Sequence, residues 1–213
     1  MKIALIGGTG FVGSAVLEEL LQRGHQVTAL ARDPAKYTAR DGLTVAKADV
    51  LDAAQVADAV RGADAVVSAY NPGWQEPEIY NVFLQGTRAV FDGVKRGGVK
   101  RLLVVGGAGS LFVAPGVQGV DTPDFPAQWK QGALAAREAL NLIQAETSLD
   151  WTFLSPAAIL EPGPRTGRFR LGADQMLMNG DHPAKISVTD LAVAIADEIE
   201  QPKHVQKRFT AAY

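Results

Sequence analysis

Cysteine is absent from this chain of 213 residues. Disulfides, thiol nucleophiles and thiolate metal sites are therefore excluded. Histidine is sparse: His25, His182 and His204 are scattered, with no histidine or carboxylate at metal-ligand spacing, so no metal centre is expected. The Arg23-Gly24-His25 context reads as a surface turn. No charge of one sign dominates, because 21 basic side chains face 23 acidic ones for a net charge of −2. A broad basic field for nucleic acid and an acidic solvating tail are both missing. No apolar run is long enough to span a bilayer. The first residues already read as strand, leaving no room for a signal peptide, so a soluble cytoplasmic protein is expected. What the chain has in quantity is apolar surface, 47% of its residues, enough for one substantial domain over 1–213.

The chain is organised around its first residues. Met1 to Ile6 is a short apolar run, and Gly7-Gly8-Thr9-Gly10-Phe11-Val12-Gly13 follows without a spacer. A helical stripe of Ala15, Val16, Leu17, Leu20 and Leu21 comes next. Strand, glycine turn and helix together form the setting of a dinucleotide-binding loop. In this reading Gly7 makes the turn, Gly10 admits a pyrophosphate close to the main chain, and Gly13 lets the helix lie against the strand. Thr9, Phe11 and Val12 complete the loop, whose free N–H groups and helix dipole suit phosphate.

Further along, strands are expected at Gln26–Ala31, Leu43–Ala46, Ala63–Ala69, Arg101–Val105, Trp151–Leu154 and Arg208–Ala212, with Ser155-Pro156 breaking the sixth. Helices are expected through Val56–Val60 with Asp52 as N-cap, from about Glu78 to Arg96, from Trp129 to about Glu146, and from Val188 to Glu200 with Thr189 or Ser187 as cap. The stretch 106–128 is rich in glycine and proline, and 157–185 is irregular. A small substrate-side segment is placed at about 155–187. Strands alternating with helices imply an α/β fold: one Rossmann-type, doubly wound parallel sheet with helices on both faces. Ligands then bind at the C-terminal ends of the strands.

The unusual residues fall at that edge. Arg32 follows strand two, where an arginine suits the 2′-phosphate of NADP, and Lys36 adds a second cation. Asp33 stands where an acidic residue would bind the ribose of NAD, but it precedes Pro34 and can instead cap the turn. NADP is therefore favoured, with NAD the alternative. Asp49 and Val50 either hold the adenine or serve as turn and core residues. Ser68, Ala69 and Tyr70 end strand four beside the ribose and pyrophosphate, with Tyr70 directed into the pocket or packed beneath the loop. Gly106, Gly107 and Ala108 would admit a nicotinamide, and Ser110 offers a hydroxyl near the reacting carbon as the candidate catalytic group. Trp74, Trp129 and Phe112 lie in or beside loops at the expected mouth, either to stack on a flat substrate or to pack.

Six stretches carry a family resemblance: I-G-G-T-G-F-V-G-S, A-R-D-P-A-K, A-D-V-L-D, L-L-V-V-G-G-A-G-S-L, V-D-T-P-D-F-P and L-D-W-T-F-L-S-P-A-A. Through them the chain resembles the atypical short-chain dehydrogenase/reductases of the NADH-flavin reductase group, related to biliverdin reductase B and the nitrogen-regulator-like proteins. The resemblance implies a Rossmann domain, NAD(P) binding and reduction of a flavin or another planar acceptor. It leaves the oligomeric state open. One departure is clear: most short-chain dehydrogenases pair a proton-donating tyrosine with a lysine four residues later, and no Tyr-x-x-x-Lys occurs here. In the helix where the pair would fall stand Trp129, Lys130, Ala133 and Arg137. The gap disfavours alcohol oxidation and sugar-nucleotide epimerisation. It leaves two readings, a flavin-type reductase and a non-catalytic redox sensor acting through a protein partner.

Overall fold

A computed structural model describes residues 1–213. The sheet strands β1 (Lys2–Ile6), β2 (Gln26–Ala31), β3 (Leu43–Lys47), β4 (Ala65–Ser68) and β5 (Arg101–Val105) are interleaved with helices α1 (Phe11–Gln22), α2 (Ala53–Val60) and α3 (Ile79–Arg96). A hairpin of β6 (Phe112–Ala114) and β7 (Val117–Gln118) precedes α4 (Ala127–Gln144) and β8 (Asp150–Pro156). The segment that follows, expected to be irregular, carries five short strands: β9 (Ile159–Glu161), β10 (Arg170–Gly172), β11 (Met178–Asn179), β12 (His182–Pro183) and β13 (Lys185–Ser187). Helix α5 (Val188–Glu200) and β14 (Lys207–Ala212) close the chain.

The main sheet has the order β10-β14-β8-β5-β4-β1-β2-β3. All neighbours are parallel except the edge pair β10–β14. The strands are apolar on both faces because both are covered. Ile3, Leu5, Val67, Leu103 and Leu154 point to α1 and α5. Ala4, Ile6, Val66, Leu102, Val104 and Phe153 point to α2, α3 and α4. Leu103 is fully buried, so truncating it to alanine should cost about 2–5 kcal/mol. Strand β1 lies between β2 and β4, so the chain reverses its direction of travel across the sheet there. In open α/β sheets such a reversal places the ligand-binding crevice at the C-terminal edge, here above the glycine loop.

Several local expectations are corrected. Ser155 and Pro156 belong to β8 and do not break it. Pairing with β5 ends at Leu154, while Pro156 is still paired with Ala211 of β14. The proline therefore sits where one side of the strand has no ladder to donate to. His25 is not a surface turn: it is 7% exposed, with Nε2 2.8 Å from Glu200 and Nδ1 3.3 Å from the amino terminus. Its partner is remote in sequence, so local patterning could not reveal it. Asp52 caps α2 as expected, and Ser187 rather than Thr189 accepts the cap bond of α5, from the Asp190 N–H at 3.0 Å. Asp190 also accepts from the N–H groups of Thr166 and Gly167, each at 2.8 Å, tying the segment after β9 to α5.

Candidate cofactor and acceptor site

The glycine loop is shaped by close backbone contacts. Gly7 has φ of +82°, and a Cβ there would lie 2.8 Å from the carbonyl carbon of Ala69 in the neighbouring loop. A Cβ on Gly13 would lie 2.9 Å from Gly8 Cα, so only glycine lets α1 start this close to the strand. A Cβ on Gly10 would meet only the Gly7 carbonyl oxygen, at 3.3 Å, and its outer side is open. The Gly10 N–H donates to Gly7 O at 2.9 Å, and the first helical bond runs from Ser14 N to Gly10 O. The N–H groups of Phe11, Val12 and Gly13 donate to no backbone carbonyl, and Gly10 supplies no side-chain cap. Helices α2 and α5 are capped by Asp52 and Ser187, whereas α1 keeps free donors beside the exposed Thr9, Gly10 and Phe11. Free donors at the positive end of a helix dipole fit a pyrophosphate.

At the ends of β2 and β3 the side chains sort themselves. Asp33 accepts from the Ala35 N–H at 3.1 Å and so caps the short turn Pro34–Lys36. Arg32 and Lys36 are exposed, and neither side chain has a protein acceptor. Asp49 accepts from the Leu51 N–H at 3.0 Å, a turn role that leaves its second oxygen free, while Val50 packs against the core. Tyr37, which nothing in the sequence singles out, folds back over the loop. Its hydroxyl lies 2.5 Å from where a Gly8 Cβ would be, buried and without a partner, and burial raises its pKa.

Ser68 is buried, and Ala69 forms the wall against Gly7. Tyr70 turns away from the crevice. Its hydroxyl donates to the Val82 carbonyl at 3.2 Å, its ring stands 5.9 Å from that of Phe83, and burial pushes its pKa up to about 12. It packs beneath the loop, in the notch left by Gly86.

The loop after β5 is held from two sides. Gly106 leaves space that the Phe153 ring fills, and a Cβ on Gly107 would lie 3.2 Å from the Cβ of Ala136 on α4. Ala108 opens a short helical turn that ends at Ser110. Ser110 is 1% exposed. Its hydroxyl points to the Gly107 carbonyl at 3.4 Å and accepts from the Arg208 guanidinium at 3.1 Å. Arg208, also buried, donates to the Ser110 carbonyl at 2.9 Å and to Asp174 at 2.8 Å. It thus joins β14, the loop after β5 and the segment between β10 and β11. Arg208 and Asp174 carry no sequence signal for this role, because they lie far apart along the chain.

Residues 7–202 match the NAD(P)H-binding family. The chain belongs to that family. It is 39% identical to the uncharacterized protein YwnB of Bacillus subtilis over 213 residues, covering 99% of this chain and 97% of that one. Among solved structures, a "putative epimerase" from Bacteroides thetaiotaomicron is 48% identical with a TM-score of 0.93, covering 100% of this chain and 96% of the other. A "putative NADH-flavin reductase" from Streptococcus pneumoniae is 32% identical with a TM-score of 0.86, covering 100% and 99%. The atypical short-chain dehydrogenase/reductase resemblance and the Rossmann-type fold therefore hold.

In this NAD(P)H-binding chain, the face of α4 turned to the β5 loop carries small residues. Gly132, Ala133 and Ala136 occupy that stripe, with Ala133 against Gly109 and Ala136 against Gly107. No hydroxyl or ammonium group stands on it. Arg137 is engaged with Asp121 at 2.8 Å, and Lys130 is exposed with no partner. A surface depression of about 350 Å³ is lined by Tyr80 of α3 and by Gln131, Leu134, Arg137 and Glu138 of α4. No helix is long and apolar enough to cross a membrane.

Proposed function

We propose that the protein is an NADPH-dependent reductase of flat, conjugated acceptors such as flavins. The observation that carries this reading is the small-residue stripe of α4, which offers no proton donor beside the β5 loop. The nicotinamide, when bound, supplies a hydride. The N–H groups of Phe11, Val12 and Gly13 receive the pyrophosphate, with Thr9 beside them, and Arg32 with Lys36 receives the 2′-phosphate. Asp49 and Val50 border the adenine, and Ser68 and Ala69 border the ribose. Gly106, Gly107 and Ala108 leave room for the nicotinamide ring against the loop.

An acceptor with a conjugated ring spreads the incoming electron pair over its own heteroatoms, and water can deliver the balancing proton. A ketone would generate an alkoxide, which needs a general acid typically worth 10²–10⁴ in rate. The relationship to the Streptococcus pneumoniae protein supports the acceptor class. The test is steady-state oxidation of NADPH with a panel of flavins and quinones. Turnover with flavins or quinones is expected. Tight NADPH binding without turnover on any of them would instead assign a redox-sensing role.

A further inference from the structure

We propose that Trp74 and Trp129 form a stacking subsite for the acceptor ring at the rim of the crevice; the inference rests on the reductase reading. Both indoles are large and unusually open, 54% and 48% exposed. Neither indole N–H donates to a protein atom. The third indole, Trp151, is buried and donates to the Glu146 carbonyl at 3.1 Å. Both belong to the N-terminal part of α4, Trp129 by its place in the helix and Trp74 by its packing. The edge of Trp74 sits over Gly132, with Cζ3 2.6 Å from where a Cβ would be, and Ile79 closes the same notch at 3.0 Å. Gly132 lies three residues beyond Trp129 on α4, so Trp74 packs on the turn next to Trp129.

Their place on the helix specifies the occupant. Trp129, Gly132, Ala133 and Ala136 share one stripe, and that stripe runs on to Gly109 and Gly107 of the β5 loop. The indoles therefore stand at the end of α4 that opens on the crevice, one to two turns from the loop proposed to flank the nicotinamide. Indole faces gain most from another flat conjugated ring in an offset or edge-on arrangement. A flavin or quinone ring fits that preference, whereas a small aliphatic carbonyl offers no face to stack. Gly132 is required for the arrangement, since any side chain there would displace Trp74.

The test uses the full-length protein with NADP⁺ and FMN, a pair that cannot turn over, and reads FMN fluorescence and calorimetry. A stacked base is lost at roughly tenfold or more in affinity when its aromatic platform is cut to alanine. Trp74→Ala and Trp129→Ala should each weaken FMN binding about tenfold and raise its KM in NADPH oxidation by a similar factor. NADPH affinity should hold, and both variants should stay folded. Trp74→Phe and Trp129→Phe should keep most of the affinity, because a flat face remains. If wild type reduces flavins and the alanine variants match it, the subsite is refuted while the reductase reading stands. If wild type binds NADPH yet neither binds nor reduces any flat acceptor, both are refuted. If the alanine variants change only self-association in sedimentation, the indoles face a second copy and the proposal is wrong.

Discussion

The carbonyl carbon of Ala69 lies 2.8 Å from the point that a Cβ on Gly7 would occupy. The loops after β1 and β4 thus close on each other at the crevice, and the glycine requirement is set by a contact between segments remote in sequence.

This contact separates the glycines by consequence. Gly7→Ala forces a left-handed residue to carry a side chain into backbone, and Gly13→Ala drives one into Gly7 and Gly8. Gly7→Ala should destabilise the protein by about 2–5 kcal/mol, combining left-handed strain with overpacking, and Gly13→Ala by about 1–3 kcal/mol or more from overpacking alone. Gly10→Val meets little protein but fills the open side of the loop, so the variant should stay folded and lose NADPH binding. Thermal melts beside NADPH titrations separate the two effects. A folded Gly10→Val protein that titrates as wild type does would place the cofactor elsewhere.

Cofactor choice should rest on Arg32. With Asp33 engaged by the Ala35 N–H, the acidic residue is committed to its turn, while Arg32 and Lys36 are unpaired. A charge-assisted contact to phosphate is worth about 1.5–3 kcal/mol, so NADPH should be preferred over NADH by roughly tenfold or more. Arg32→Ala should erase the preference and leave NADH affinity nearly unchanged. Equal affinities in the wild type would contradict the assignment.

Ser110 is held by Arg208 beneath the surface, so its effect on rate should be small. Ser110→Ala should slow flavin reduction by no more than about tenfold, since most of the acceleration comes from holding two rings together. Simple secondary alcohols should not be oxidised. Alcohol dehydrogenase activity abolished by changing Lys130 or Arg137 would reveal a proton donor that the α4 stripe does not contain.

Acid sensitivity should have an identifiable source at the opposite edge of the sheet. Burial alone would raise the Glu198 carboxyl, but the His204 side chain and the backbone N–H groups of His204 and Lys203 outweigh it and lower its pKa. Its buried pairing with Arg101, at 3.0 Å, adds a charge that must stay compensated. A depressed carboxyl stabilises the fold above its unfolded value of about 4.3, and that stability is lost as pH falls through the lower folded value. Glu198→Ala should cost about 3–5 kcal/mol at neutral pH and flatten this acid dependence. Unfolding midpoints measured from pH 7 to 3 that decline as steeply in the variant would refute the assignment.

Local chemistry determined much of this protein from sequence alone. The apolar strands, the glycine loop opening a helix, the Asp52 cap and the missing Tyr-x-x-x-Lys pair are all short-range features, written in neighbouring residues. They were enough for the parallel α/β sheet and for the NAD(P)H-binding family. Side-chain direction and long-range pairing belong to the tertiary structure. Tyr70 could face the ligand or the protein until α3 claimed it. Ser110 looked available until Arg208, 98 residues away, enclosed it. His25 found Glu200 across 175 residues, and Trp74 found the notch at Gly132. A periodic pattern records which side of an element is apolar. Which particular groups meet there depends on the packing of distant elements, and only the folded chain decides it.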